Sequence, residues 1–297
     1  MSQKQLDDIR QQAEDLTRTI PGSTIAGNLE VFTDLKNTFG SLQEARENLK
    51  PFVQRVTALQ MIDKRQGGVG KLGSALDLAR FIEDQGGAIN PKTGHYDPEK
   101  FVEIANRTLQ VAIATNMRVN PREFLTFQKQ ARSGGMMLDD HALYGELPYF
   151  LKAYGSAKLG TALFSNFQVM LAGRLQRRRE EYLESIGIIP KGTGHMVGKG
   201  PGAHFEYDPA EIRGRELMMS DPFAWIHDIL APAIAQKYHL NINTSEGQKG
   251  VILHMTEAAQ RNTIAGMWAE VFRNYAQAQK EARNIEATTP NALAHFA

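Results

Sequence analysis

Apolar residues recur every three or four positions along most of this chain, and glycine or proline interrupts each run before it grows long. From Ile25 the stripe Leu29, Phe32, Phe39 stops at Gly40. Ser41 and Glu44 have the spacing of a capping box. Pro51 predicts a break or kink, after which helix resumes through Val53, Val56 and Leu59. Ala75, Leu78, Ala79 and Ile82 form the next stripe, closed by Gly86-Gly87. Asp97-Pro98 and Asn120-Pro121 are helix starts, a capping oxygen followed by a proline at the first helical position. Phe101, Ile104, Ala105, Leu109 and Ala112 share a face behind the first of them. A single helix of this length would span about 450 Å at 1.5 Å per residue. With 26 glycines and 12 prolines falling between the stripes, the chain predicts many medium helices folded back on one another.

The second half reads the same way until residue 187. Asp140 is placed to cap a short segment ending before Pro148, and Gly155-Ser156 opens a helix expected to run to about Ser185. Its most apolar part, Leu159 to Leu175, is interrupted by Ser165, Asn166, Gln168 and Arg174. That pattern fits a buried helix better than a bilayer span, which needs about 20 mostly apolar residues. Between Gly187 and Pro209 the sequence turns Gly- and Pro-rich and loses helical period. It reads as an ordered loop or short β-hairpin with "AHFEY" as a strand, a linker being the alternative. Helix returns in "AEIRGRELMM" and in "SDPFAWIHDILAPAIAQKY", the latter capped by Ser220 or Asp221 and kinked at Pro232. Ile264, Met267, Trp268, Val271 and Tyr275 stripe the last helix. The expected fold is all-α, a compact array of amphipathic helices with one Gly/Pro-rich loop or hairpin near 187–208. The expected organisation is an N-terminal helical lobe 1–186, the loop or hairpin 187–208 and a C-terminal lobe 209–297, or one domain overall.

Composition narrows the chemistry. The 297 residues hold 34 Lys+Arg against 33 Asp+Glu, a net charge of +1, so no global field draws the chain to nucleic acid or anionic membrane. With no cysteine, thiolate metal sites, disulfides and cysteine nucleophiles are excluded. The polar start "MSQKQLDDIRQQAEDL" lacks the apolar core of a secretory signal.

Several stretches imitate functional motifs. "GGVGK", Gly67 to Lys71, resembles a phosphate-binding loop, but a full motif needs glycine where Arg65 stands and a hydroxyl where Leu72 stands. A turn between helices with glycines at positive φ explains it better. "GTG" at Gly192 to Gly194 has the letters of an anion nest without a helix behind it. None of the eight histidines lies four residues from another; His195 and His204 share the 187–208 loop with Glu206 and Asp208. Ser156 and Lys158 have the letters of a Ser–Lys dyad, although Ser156 suits a helix cap. Asp7-Asp8, Asp139-Asp140 and Glu180-Glu181 are adjacent and do not face each other on a helix, as expected of solvated pairs. The run "GRLQRRREEYLE" from Gly173 is diluted by Glu180, Glu181 and Glu184 and reads as a solvated face. The expectation is therefore no catalytic, cofactor-binding or metal-ligating residue.

Five stretches, in order, are similar to the globular helical region of tail tape measure proteins of tailed phages and prophages. They are "TIPGSTIAGNLEVFTDLKNTFGSLQEARENLKPFVQRVTALQ", "NPREFLTFQKQARSGG", "LPYFLKAYGSAKLGTALFSNFQVMLAGR", "GIIPKGTG" with "ELMMSDPFAWIHDILAPAI", and "QRNTIAGMW". Together they cover nearly all of Thr19 to Tyr275. The resemblance implies a structural protein that acts in tail assembly and tail length determination. It further implies tube protein, assembly chaperones and tail tip or baseplate as partners, and a place in the virion tail after assembly in the host cytoplasm. No catalytic residue is carried over from it, and the residues of this chain by themselves lead to no expectation of a cofactor, of specific nucleic-acid binding or of a transmembrane segment. Family members are often longer, with coiled rods and membrane-like segments that this chain does not show. The stretch therefore reads as a folded module of the tape protein rather than its ruler. A phage-associated cell-wall hydrolase or other helical enzyme is the alternative; it would require a carboxyl of raised pKa in a cleft.

Overall fold

A computed structural model describes residues 2–65, 74–86, 97–171, 174–175, 177–199, 204–259 and 262–288. Among the described residues the fold is all-α apart from three very short strands. It divides into two compact units, Met1–Leu125 with Asn284–Ala297, and Thr126–Arg283. The segment 187–208, expected to separate two lobes, lies inside the second unit. Ile188 and Ile189 are buried there, and its strands pair with one that precedes it.

The first unit contains α1 (Gln3–Thr19), α2 (Ile25–Phe39), α3 (Leu42–Arg65), α4 (Ser74–Asp84), α5 (Pro98–Ala114) and the start of α6 (Pro121–Ala131). Local chemistry sets the boundaries. Thr24 accepts from the Gly27 amide to start α2, and Gly40 ends it in the left-handed conformation at φ 68°. Ser41 accepts from Glu44 N, and Asp97 accepts from Glu99 N and Lys100 N. Pro51 does not break its helix; α3 passes through it. An interior proline costs about 3 kcal/mol. Leu49, Phe52, Val53 and Val56, all buried around it, each return about 1.5–3 kcal/mol on burial, so packing outweighs the lost amide. Phe101 of α5 lies 5.4 Å from Phe39 and 5.3 Å from Phe52, centroid to centroid, joining three helices in one cluster. Two buried amides fix the polar seams. Asn28 donates to the Ala13 carbonyl. Gln110 donates to the carbonyls of Ile285 and Thr288, satisfying acceptors that a helix end leaves open.

The second unit continues with α7 (Ser133–Met136), a π-helical turn His141–Glu146, α8 (Leu147–Tyr154), α9 (Ser156–Leu171), β1 (Arg174–Leu175) and α10 (Arg177–Ser185). Then come β2 (His195–Val197), β3 (His204–Glu206), a 3-10 turn Pro209–Glu211, α11 (Arg215–Ser220), α12 (Pro222–Trp225) and a second π turn Ile226–Leu230. It closes with α13 (Ala231–Tyr238), α14 (Ser245–Ala259) and α15 (Asn262–Ala287). The helix expected over Ser156–Ser185 is interrupted after Leu171, because Arg174 and Leu175 pair antiparallel with Glu206 and Phe205. The expected hairpin is present: His195, Met196 and Val197 lie opposite Glu206, Phe205 and His204. Trp268 Nε1 donates to Asn166 Oδ1 at 3.1 Å in the core, and Phe150 stacks on Phe223 at 4.9 Å. The stripe expected from Ile264 to Tyr275 is buried throughout.

Both π turns precede a proline. Leu147 N bonds to Ala142 O and Ala231 N to Ile226 O, each one residue wider than an α-helical bond. Pro148 and Pro232 follow directly. A proline has no amide to give the carbonyl four residues back, and its ring crowds that carbonyl. The wider turn relieves both problems. Pro148 therefore does not end a segment, as its sequence context suggested; helix runs through it into α8.

Helices α6 and α9 cross closely at Gly160. A Cβ there would stand 2.5 Å from the Phe127 carbonyl oxygen and 2.7 Å from Gln130 Cβ. Gly→Ala inside a helix ordinarily gains about 1 kcal/mol, whereas overpacking costs about 1–3 kcal/mol. Gly160→Ala should therefore lower stability in urea unfolding; a gain would show that the crossing is looser than described.

Candidate functional site

Buried charge is the feature of the second unit that packing alone does not explain. Glu146 ends the first π turn and is 0% exposed. Asp221, 5% exposed, caps α12, its Oδ1 accepting from Phe223 N at 3.1 Å and Ala224 N at 2.9 Å. His141 opens the same π turn, with Nε2 3.6 Å from Glu146 Oε1. Tyr275 and Gln279, one turn apart on α15, complete the group: Gln279 Nε2 donates to Tyr275 Oη at 2.8 Å and to Glu146 Oε1. The His227 ring stacks on Tyr275 at 4.3 Å. Asp139 holds the start of the π turn through Ala142 N at 2.8 Å, the role expected of Asp140, and its own amide donates to Ser220 O. That bond ties the turn to the corner where Asp221 sits.

The electrostatics follow from burial. Loss of water pushes Glu146 up to about 9, with the Asp221 charge adding to the rise and the Tyr275 hydroxyl opposing it. Asp221 is raised as well, by burial first, while its capped amide and Glu146 pull the other way. Tyr275 is raised by burial and by the neighbouring Glu146. At neutral pH the two carboxyls thus retain a proton between them. Apart from that shared proton and the Tyr275 hydroxyl, the buried Glu146 Oε2 has no donor.

The motifs singled out in the sequence fall elsewhere. Gln66 to Gly73, including the whole "GGVGK" loop, lie outside the described residues. The His204 side chain also lies outside them, although His195 is exposed and stands opposite Glu206 across the hairpin. Ser156 is buried and Lys158 exposed, so they do not form a dyad. Lys158 instead lines a surface pocket of about 610 Å³ with Gln130, Tyr154, Thr161 and Thr263. The "GTG" turn does meet an anion, but one from its own chain: Gly192 N donates to Glu184 Oε1 at 2.8 Å. The basic run is not a solvated face throughout. Arg179 and Glu180 are buried where α10 packs on α14, and Arg179 Nε donates to the Ala258 carbonyl at 3.1 Å.

His141, Glu146, Asp221, Tyr275 and Gln279 were not identified as a group from the sequence. Glu146 stands five positions after His141, which on an α-helix sets side chains about 140° apart. Only the π turn brings them together. Comparison with known family models, with curated proteins and with solved structures finds no match to this chain.

A raised carboxyl makes stability depend on pH with a definite sign. The folded protein holds the Glu146 proton between the unfolded carboxyl value and about 9, so stability present below the unfolded pKa is lost as pH rises across that window. The slope is up to about 1.4 kcal/mol per pH unit for one proton. In chelator-containing buffer, Glu146→Gln should flatten the fall in unfolding free energy between pH 5 and 9. An unchanged slope would mean that Glu146 is ionised in the fold.

Proposed function

We propose that this chain is a helical structural module of a phage tail, part of a tape measure protein that takes part in tail assembly and length determination. One observation carries the reading: the residues that carry the resemblance are those that start, stop and anchor helices. Thr24 caps α2, Gly40 ends it, Asn120 accepts from Arg122 N at the start of α6, and Asp221 caps α12. Asn166 and Trp268, from two different resembling stretches, bond to each other in the core. Motifs of this kind specify a packing arrangement, which is what a scaffold acting through protein contacts requires. The contacts expected are with tube protein, assembly chaperones and the tail tip or baseplate. Among the described residues, no helix is long and apolar enough to cross a membrane.

A second reading, a cell-wall hydrolase carried by the particle, is favoured by the raised Glu146 beside Asp221. Burial weighs against it, since a general acid must touch the glycosidic oxygen and Glu146 is 0% exposed. Mass spectrometry of purified tails should detect peptides of this chain at stoichiometric level, and tube protein should co-purify with it. Its absence from particles would reject the tail reading. A clear zone on peptidoglycan that disappears in Glu146→Gln would establish the hydrolase instead.

A further inference from the structure

We propose that His141, Glu146 and Asp221 form a divalent transition-metal site, suited to Zn²⁺, that staples the first π turn to the corner between α11 and α12. The inference does not depend on the tail reading.

Each of the three residues offers a ligand atom, and these atoms lie within 4.8 Å of one another. Ligands held tetrahedrally by zinc stand about 3.3–3.6 Å apart, so side-chain adjustment closes the site. One imidazole with two carboxylates is a nitrogen–oxygen set, which suits zinc or its first-row neighbours better than magnesium or calcium. An independent observation points to a ligand. Glu146 is fully buried, and while Gln279 occupies Oε1, its Oε2 has no nitrogen donor and depends on the proton shared with Asp221, a place that a cation can take. An unsatisfied buried carboxylate oxygen is costly. Asp221 Oδ1 is likewise engaged by two backbone amides, leaving Oδ2 for an ion. Two carboxylates and Zn²⁺ sum to zero charge, so the ion can replace the shared proton without leaving net charge in a buried position. Asp139, the other acidic neighbour, adds further attraction for a cation.

Access and second-sphere support are also in place. The His141 side chain is 42% exposed and gives the ion a route from solvent. Gln279 holds Glu146 from α15, as partners behind a metal ligand do. The bound ion would join residues from two separate stretches, adding to the single backbone bond from Asp139 to Ser220. Three protein ligands leave the fourth position to water, so the inference is confined to the tie the ion makes between these two stretches.

The test is calorimetric titration of the metal-stripped chain with ZnCl₂, with MgCl₂ as control and thermal unfolding in parallel. One Zn²⁺ per chain should bind, raising the melting temperature, and Mg²⁺ should not compete at equal concentration. His141→Ala, at an exposed position where folding is safe, and Glu146→Gln, which keeps size and polarity, should each weaken binding by about 10-fold or more. Both variants should retain the wild-type helical circular dichroism spectrum, which shows that a loss of binding is not a loss of fold. No saturable Zn²⁺ binding by the wild-type chain overturns the proposal. So does binding that survives unchanged in both variants, since the ion would then sit on other histidines.

Discussion

Two prolines set the geometry on which the second unit depends. Pro148 and Pro232 each remove an amide from the start of a helix, and in each case the preceding turn widens to an i→i−5 bond. The widening has different consequences at the two places. Before Pro232 it carries apolar Ile226 and Leu230 into the core, and the helix from Pro222 to Tyr238 continues as packing dictates. Before Pro148 it turns His141 and Glu146 to the same side and points a carboxyl inward. A straight α-helix would keep those two side chains on different faces.

Glu146 is thus buried because of where the backbone places it, and the surrounding groups are arranged around that fact. Gln279 donates to it from α15, Tyr275 lies against it with His227 stacked on the phenol, and Asp221 faces it from the start of α12. The second carboxyl is the informative one. A neutral glutamate with an amide donor would be an ordinary buried polar group, whereas a second acid beside it calls for a proton or a cation. Asp221 cannot simply be lost, because its Oδ1 supplies the cap for Phe223 and Ala224. Capping and charge are two duties of a single side chain, and the tension between them originates in the D-P start signal itself.

The fold was legible where a local rule decided the outcome. Asp97-Pro98, Asn120-Pro121, Gly40 and the stripe from Ile264 to Tyr275 behave as their spacing requires, because capping and amphipathicity act within a turn or two of the residue concerned. Failures occurred where distant partners prevailed over local preference. Of the break or kink expected at Pro51, the break does not occur, because Leu49, Phe52 and Val53 are buried on a common core. The helix over Ser156–Ser185 is split because Arg174 and Leu175 find a strand some thirty residues later. Arg179 and Glu180 are buried although their neighbours are all charged, since α10 is short and one of its faces lies on α14. The candidate site was illegible for the same reason. Asp221 is one of two caps the sequence offers, with Ser220, but its meeting with Glu146 needs a π turn and a third helix, neither of which is visible in spacing.

This bears on how the tape measure resemblance is weighed. The "DPFAW" stretch contributes a cap through Asp221, a core ring through Phe223 and a buried indole that donates to the Arg213 carbonyl through Trp225 Nε1. Each contribution suffices to maintain the motif for structural reasons alone. A likeness built from such residues carries information about the arrangement of helices and little about chemistry. The Glu146–Asp221 pair carries the opposite kind of information, since neither side chain needs to be ionisable for the helices to pack. Two acids in one core keep a proton or a cation between them, and neither requires a substrate to reach a fully buried group.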